Sequence, residues 1–495
     1  MYYTSTRNRE IRITGSEAIV KGLSAEGGLF VPEEIPKLSR ETIIALTKKE
    51  YYERAYDVLK LFLPDFPQEE LHDSVKAAYG ENFDCTDISE LVRINRIEYF
   101  LELWHGPTCA FKDMALQLLP YLLSSAAKRV GSGKTTAILT ATSGDTGKAA
   151  LEGFRDVTGT KIMVFYPENG VSELQKKQMQ TSEGGNVSVV AVKGNFDDCQ
   201  NAVKEIFTDK TIETELLAKN IALSSANSIN WGRLCPQIAY YVSVYAELIA
   251  RGEIMYGEQI NIAVPTGNFG NILAAYYARE MGIPVRMLIC ASNSNNVIFD
   301  FLNTGTYDIN RDFVTTMSPS MDILISSNLE RLLYMLSGGN CAEVAGYYNQ
   351  LKENGRFTVT KEIQSQLRRQ FYAGWASEAD TETEIRYLFR KKNYLTDTHT
   401  AVAHKVADEY LRETGDETKT VVVSTANPYK FPKAVYESLA GTSPLRDEVS
   451  VSAALAELTG KHMPQPLKDA INKPVRFTDV VGKTEIAAAV RKFLL

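Results

Sequence analysis

Residues 135–168 read TTAILTATSGDTGKAALEGFRDVTGTKIMVFYPE, and this stretch decides the fold class. TTAILTA is a short apolar run bounded by turn residues, which reads as a buried strand. SGDTG breaks the run, KAALEGFRDVTG carries apolar residues at helical spacing, and KIMVFYPE is a second buried strand. Strand, glycine-rich turn, helix and strand make one parallel β–α–β unit. The alternation continues with VSELQKKQMQTSEGG (171–185), VSVVAV (187–192) and DDCQNAVKEIFTD (197–209). It returns at QINIAVPTGNFG (259–270), NILAAYYAREMG (271–282) and VRMLICAS (285–292), and TKTVVVSTANP (418–428) reads as a late strand. The expected fold is α/β with doubly wound, mostly parallel sheets. Upstream, patterns such as ETIIALTKKEYYERAYDVLKLFL (41–63) predict a helical N-terminal domain over 1–95. A smaller α/β domain is expected over 96–235 and a larger one over 236–495, the latter with a mainly helical segment at about 300–395.

Bulk properties narrow the function classes. The chain has 495 residues, 44% hydrophobic and 23% charged, the balance of a soluble globular protein. A net charge of −7 without a basic block argues against nucleic acid or an anionic membrane as partner. No run approaches about 18 apolar residues, and MYYTSTRNREIRIT has no targeting pattern, so a cytoplasmic protein without a membrane span is expected. Cys85, Cys109, Cys199, Cys235, Cys290 and Cys341 are scattered singly, with no C-x-x-C. Free thiols and no metal site are expected. His399 and His404 lie five apart and so do not stack on one helix face as a ligand pair would.

GSGKTT (131–136) resembles the end of a nucleotide-binding loop, but Lys128 stands where the full pattern needs glycine. It also follows a helix and opens a strand, the reverse of the required context. It reads as a helix-ending turn.

Two other loops stand where open α/β sheets bind ligands, after a strand and before a helix. One is Thr142-Ser143-Gly144-Asp145-Thr146-Gly147, the other Pro265-Thr266-Gly267-Asn268-Phe269-Gly270-Asn271. Their glycines allow close backbone approach and their helix-start amides suit anions. Each also reads as an ordinary turn capped by Asp145 or Asn268. Which loop takes which anionic group stays open. The third piece is HGPTCAFKD (105–113), which ends an extended segment and opens a helix that Pro120 should kink or end. A lysine in a first helical turn faces the wrong end of the helix dipole. That field, with burial, lowers its pKa toward that of a nucleophile or base. The bland reading of Lys112 is a solvated lysine paired with Asp113.

Taken together these segments resemble the threonine synthase family, within the fold-type-II enzymes that use pyridoxal 5'-phosphate (PLP). The likeness also covers YYTSTRN (2–8), GLSAEGGLFVPE (22–33), SSANSINWGRLCPQ (224–237) and STANPYKF (424–431), and the N-terminal part suggests the longer form found in fungi and many bacteria. The resemblance implies two doubly wound sheets of the tryptophan synthase β-like kind. It implies that Lys112, beside Phe111, would carry PLP as a Schiff base. Gly267, Asn268, Phe269, Gly270 and Asn271 would cup the cofactor phosphate, and Thr425 would bond the pyridine nitrogen. Ser143, Gly144, Asp145 and Thr146 would face the substrate carboxylate and the cofactor 3'-oxygen. The implied substrate is O-phospho-L-homoserine, converted with water to L-threonine and phosphate. Lys148, Asn230 and Arg233 are candidates for the leaving phosphate. Asn427 and Thr398 depart from the histidine and proline of the family pattern. A serine or threonine dehydratase is the nearest alternative; a phosphotransferase built on GSGKTT is a more distant one. A monomer or small homo-oligomer is expected.

Overall fold

Three neighbouring strands, Ile260–Pro265, Thr420–Ser424 and Glu98–Glu102, run parallel and therefore end on one edge of their sheet. This edge builds half of the cleft described below. The computed structural model describes residues 1–495 apart from Ser143, Gly170, Pro444 and Arg446, and apart from the side chains of Phe196 and Asp197. The sheet is six-stranded, in the order Phe371–Trp375, Val285–Ser292, Ile260–Pro265, Thr420–Ser424, Glu98–Glu102, Glu90–Arg93. Only its last pair is antiparallel. A second, fully parallel sheet of five strands runs Val480–Gly482, Val187–Lys193, Thr160–Pro167, Thr135–Ala141, Ile221–Ser224. Two mostly parallel sheets with helices on their faces are the α/β architecture expected. The central strands are near-continuous Val, Ile, Leu and Ala because both faces are covered, as in Val421, Val422 and Val423, all 1% exposed or less.

The strands do not divide at residues 96 and 236. Glu90–Arg93 and Glu98–Glu102 belong to the six-stranded sheet, and Val480–Gly482 returns to edge the five-stranded one. Alternating patterns reveal a strand but not which sheet it joins, since that choice rests on pairing across long separations. The N-terminal part is helical as read, with an added antiparallel pair, Tyr3–Ser5 and Phe30–Pro32. Residues 300–395 are mainly helical too. They also supply Phe371–Trp375 to the large sheet's edge and a short pair, Thr306–Asp308 with Arg356–Thr358.

The loop at 131–133 follows the helix Leu119–Arg129 and precedes the strand Thr135–Ala141, with Gly131 and Gly133 at positive φ. Pro120 stands in the first turn of that helix, separated from the short helix Asp113–Leu116. A chain break there suits proline, whose missing N–H is an orphan in a first turn anyway. No described helix is long and apolar enough to cross a membrane, and all six cysteines are free thiols.

Candidate active site

The segment leaving Glu98–Glu102 carries Lys112, and it is stitched to the segment leaving Thr420–Ser424. The Leu103 amide donates to the Ser424 carbonyl at 3.0 Å, the Phe111 amide to the Thr425 carbonyl at 2.8 Å, and the Asn427 amide to the Cys109 carbonyl at 3.0 Å. Lys112 therefore lies beside Thr425 at the strand ends. Its amine sits 4.2 Å from the centre of the Phe111 ring and has no hydrogen bond or ion pair among the described residues. Burial pushes its pKa down to about 7, helped by the nearby charges of Arg233 and Lys430 and opposed by Asp145. Asp113 is not its partner. That carboxyl turns back to accept the amide and hydroxyl of Thr108, each at 2.8 Å, and burial raises its pKa to about 7. Gly106 makes room for it, since a Cβ there would stand 2.6 Å from the Asp113 side chain.

Neither glycine-rich loop is an ordinary capped turn. The helix Asp145–Phe154 starts from Gly144 and the helix Gly270–Glu280 from Phe269, neither N-cap residue making a side-chain capping bond. Uncapped helix starts leave N–H groups open to an anion. In the second loop, none of the amides of Gly267, Asn268, Phe269, Gly270 and Asn271 donates to a described residue. Phe269 takes the left-handed conformation (φ 61°) that curls the loop. Gly267 has to be glycine, because a Cβ would lie 2.7 Å from the Ser320 carbonyl oxygen. Tyr240 and Tyr241 donate to Asn271 Oδ1 at 2.5 and 2.6 Å, which fixes that amide and leaves its buried Nδ2 without a partner. A run of open amides with an orphaned amide nitrogen suits a phosphate.

In the first loop Thr142 Oγ1 takes the amides of Gly144 (3.0 Å) and Gly147 (2.9 Å), while those of Asp145 and Thr146 have no partner among the described residues. The Asp145 carboxylate is almost wholly buried and one of its oxygens is committed within the protein. It pairs with Lys430 at 2.9 Å and accepts from Gln175 at 3.0 Å. Against the penalty of burial, the charge of Lys430 holds its pKa down to about 2. Gly144 has φ 138°, reserved for glycine, and a Cβ there would strike Gln175 at 2.4 Å. Ser143 lies outside the described residues.

Of the candidates for the leaving phosphate, Arg233 fits best. It is 5% exposed, donates to the Ala226 carbonyl at 2.9 Å and Thr146 Oγ1 at 3.4 Å, and meets no carboxylate among the described residues. Burial lowers its pKa to about 10, so it stays a cation. Asn230 is committed elsewhere: its side chain accepts the Gly232 amide and donates to the Ile19 and Ser225 carbonyls, capping the helix Trp231–Ala250. Lys148 pairs with Glu152 of its own helix at 2.9 Å and donates to Ser182 at 3.3 Å, so its charge is already neutralised.

Thr425 is 5% exposed and its hydroxyl has no partner among the described residues. Asn427 caps the turn Pro428–Lys430 by accepting the Tyr429 amide at 3.0 Å, a role that does not need histidine. Thr398 occupies the first position of its helix, where proline is also favoured. Sequence reasoning assigned no role to Lys430, although it lies within STANPYKF (424–431), nor to Gln175, Tyr240 and Tyr241. It also missed a grouping of Cys85, Glu90 and His105 at metal-ligand distances. There the His105 ring is engaged by Asp84 (2.7 Å) and Glu102 (2.9 Å). Despite burial, which disfavours the charge, these bonds raise its pKa to about 9, and both ring nitrogens are already engaged by carboxylates.

The cleft thus offers a phosphate cup, an uncommitted amine of lowered pKa and a free hydroxyl, the donor set that PLP requires. Comparison with known proteins agrees. Residues 2–79 match the family model described as threonine synthase N terminus, 84–346 that of pyridoxal-phosphate dependent enzymes, and 400–493 that of threonine synthase, C-terminal. The chain is 42% identical over 435 residues to threonine synthase-like 1 of Macaca fascicularis, covering 86% of this chain and 58% of that one. Threonine synthase of Pseudomonas aeruginosa is 38% identical over 461 residues, covering 92% and 93%. The PLP-bound threonine synthase of Brucella melitensis superposes with a TM-score of 0.88 at 37% identity, over 100% of this chain and 99% of that one. The chain belongs to the threonine synthase family of pyridoxal-phosphate-dependent enzymes.

Proposed function

We propose that this chain is a carbon–oxygen lyase that converts O-phospho-L-homoserine and water to L-threonine and phosphate, the last step of threonine biosynthesis. What supports the reading is the run of open amides at 267–271, at the end of the strand Ile260–Pro265, on the same sheet edge as the segment that carries Lys112, whose amine has no partner among the described residues. Lys112 would hold PLP covalently, the amides of Gly267–Asn271 and Asn271 Nδ2 its phosphate, and the neutral Thr425 hydroxyl its ring nitrogen. When bound, PLP supplies an electron sink for charge that develops at the substrate Cα.

The protein's own groups do the rest. Lys112, with its lowered pKa, takes the Cα proton and then a Cβ proton as phosphate leaves Cγ, delivers one of these at Cγ, and returns the other to Cα after water adds at Cβ and gives its remaining proton to the released phosphate. Such transfers are each worth about 10²–10⁴-fold. The open amides of Asp145 and Thr146 bind the substrate carboxylate. Arg233, a buried cation that meets no carboxylate among the described residues, binds and stabilises the leaving phosphate. Lys112, Arg233 and Lys430 against Asp145 give a cationic cleft suited to a substrate with two anionic groups.

The assay is direct. Purified protein reconstituted with PLP and given O-phospho-L-homoserine should release threonine and phosphate in equal amounts, and Lys112→Ala should release neither. Keto acid and ammonia from serine or threonine, without phosphate chemistry, would favour the dehydratase reading. Free thiols fit a reducing cytoplasm, and the chain is read as a monomer or small homo-oligomer with no nucleic-acid partner.

A further inference from the structure

The segment Asp397-Thr398-His399-Thr400 takes no part in the chemistry above, yet it is bonded toward both ends of the cleft. All four residues are 3% exposed or less. The Asp397 carboxylate caps the helix Thr398–Thr414, accepting the amides of His399 at 2.8 Å and Thr400 at 3.4 Å. It also accepts the Thr400 hydroxyl, and His399 Nδ1 at 3.0 Å.

From this carboxylate two chains of bonds diverge. In one, Thr400 Oγ1 accepts the Thr425 amide at 3.2 Å, and the Thr425 carbonyl accepts the amide of Phe111, next to Lys112. In the other, His399 Nε2 accepts the Ser320 amide at 3.1 Å. The Ser320 carbonyl oxygen is the atom that leaves no room for a Cβ on Gly267, so the Ser320 turn is the wall behind the phosphate cup. A ring nitrogen that accepts an amide N–H holds the lone pair, so the network assigns the proton to Nδ1 and makes Asp397 its acceptor. His399 thus has one orientation and one tautomer, as a residue used for positioning needs.

We propose that Asp397 and His399 are a positioning pair that sets the distance between the Thr425 wall and the Gly267–Asn271 cup, and thereby the grip on PLP. The inference rests on the reading of the cleft as a PLP site. A helix cap alone would need Asp397 but not the bond from Ser320 to His399. Two variants separate these roles. His399→Gln keeps an acceptor that can reach the Ser320 amide, whereas the shorter His399→Asn can reach only Asp397.

Each apoprotein would be titrated with PLP and followed by visible absorption, with thermal melting of the apoproteins in parallel. His399→Asn should bind PLP on the order of 10-fold more weakly, with a shifted absorption band, and His399→Gln should stay within about threefold of wild type. Unchanged affinity in His399→Asn would overturn the proposal. So would equal losses in both variants. A wild-type protein that bound no PLP would overturn the reading of the cleft together with this inference, which sets it apart from either result.

Discussion

The two turns at 142–147 and 266–271 share one local grammar, strand then glycine-rich loop then uncapped helix, but they are held in different ways. The first contains a buried carboxylate, Asp145, that depends on Lys430 arriving from the far end of the other sheet's chain. The second contains no charge. It is shaped by Phe269 in the left-handed region, by close contact of Gly267 with Ser320, and by neutral hydrogen bonds. The Asn268 carbonyl accepts from Asn328, and Asn271 from two tyrosines. Both loops are held by residues distant in sequence, the first through an ion pair with Lys430 and the second through neutral contacts alone. A loop with a buried acid needs a counter-charge from elsewhere in the fold; one made of amides does not.

The comparison can be broken most forcefully at Lys430. Lys430→Ala would leave Asp145 charged, buried and held only by Gln175, so stability should fall by about 3–5 kcal/mol in denaturant unfolding. Adding Asp145→Asn to Lys430→Met should regain most of that loss, and a double mutant as unstable as Lys430→Ala would deny the pairing its role. Next comes Asn271→Asp, which puts a carboxylate into the loop that has no counter-charge. Both tyrosine bonds can persist, but the new charge repels phosphate, so PLP affinity measured on the apoprotein should fall at least about 10-fold, or roughly 1.4 kcal/mol. Undiminished affinity would show that the loop tolerates an acid as its counterpart does.

A third effect concerns the amine between the loops. The folded pKa of Lys112, about 7, lies below the ordinary 10.5, so the unfolded chain binds more protons between those values and apoprotein stability rises with pH across that window. The penalty is full below about pH 7 and gone above about pH 10. Lys112→Met removes it, so the variant apoprotein should melt higher than wild type at neutral pH, and the gap should close toward pH 10. A gap independent of pH would contradict the assignment. The smallest effect is expected from Asn230→Ala, which removes a helix cap worth about 1 kcal/mol in unfolding while substrate affinity stays unchanged.

Legibility followed the range of the forces involved. TTAILTATSGDTGKAALEGF and QINIAVPTGNFG could be read because a strand's apolar run, a glycine's freedom and a helix's spacing all act within a few residues. The turn at 131–133 and the break at Pro120 were readable for the same reason. Sheet membership of Glu98–Glu102 was not, since its partners Glu90–Arg93 and Thr420–Ser424 are near and far in sequence respectively and only packing selects them. Nor could Asn230 and Lys148 be told from Arg233 as anion ligands. All three are polar groups in or near turns that precede a helix, and they differ only in which partners space provides.

By itself, then, the chain's sequence determined the order of β–loop–α units, the places where glycine lets a ligand approach, and a lysine at a helix start. Each depends on backbone geometry within one or two turns. Tertiary structure alone decided that Asp113 turns away from Lys112, that Lys430 neutralises Asp145, that Arg233 meets no carboxylate among the described residues, and that the Ser320 amide behind Gly267 donates to His399. Those outcomes depend on burial and on distances between residues far apart in the chain, because a charge or a lone pair takes its energy from whatever packing brings beside it.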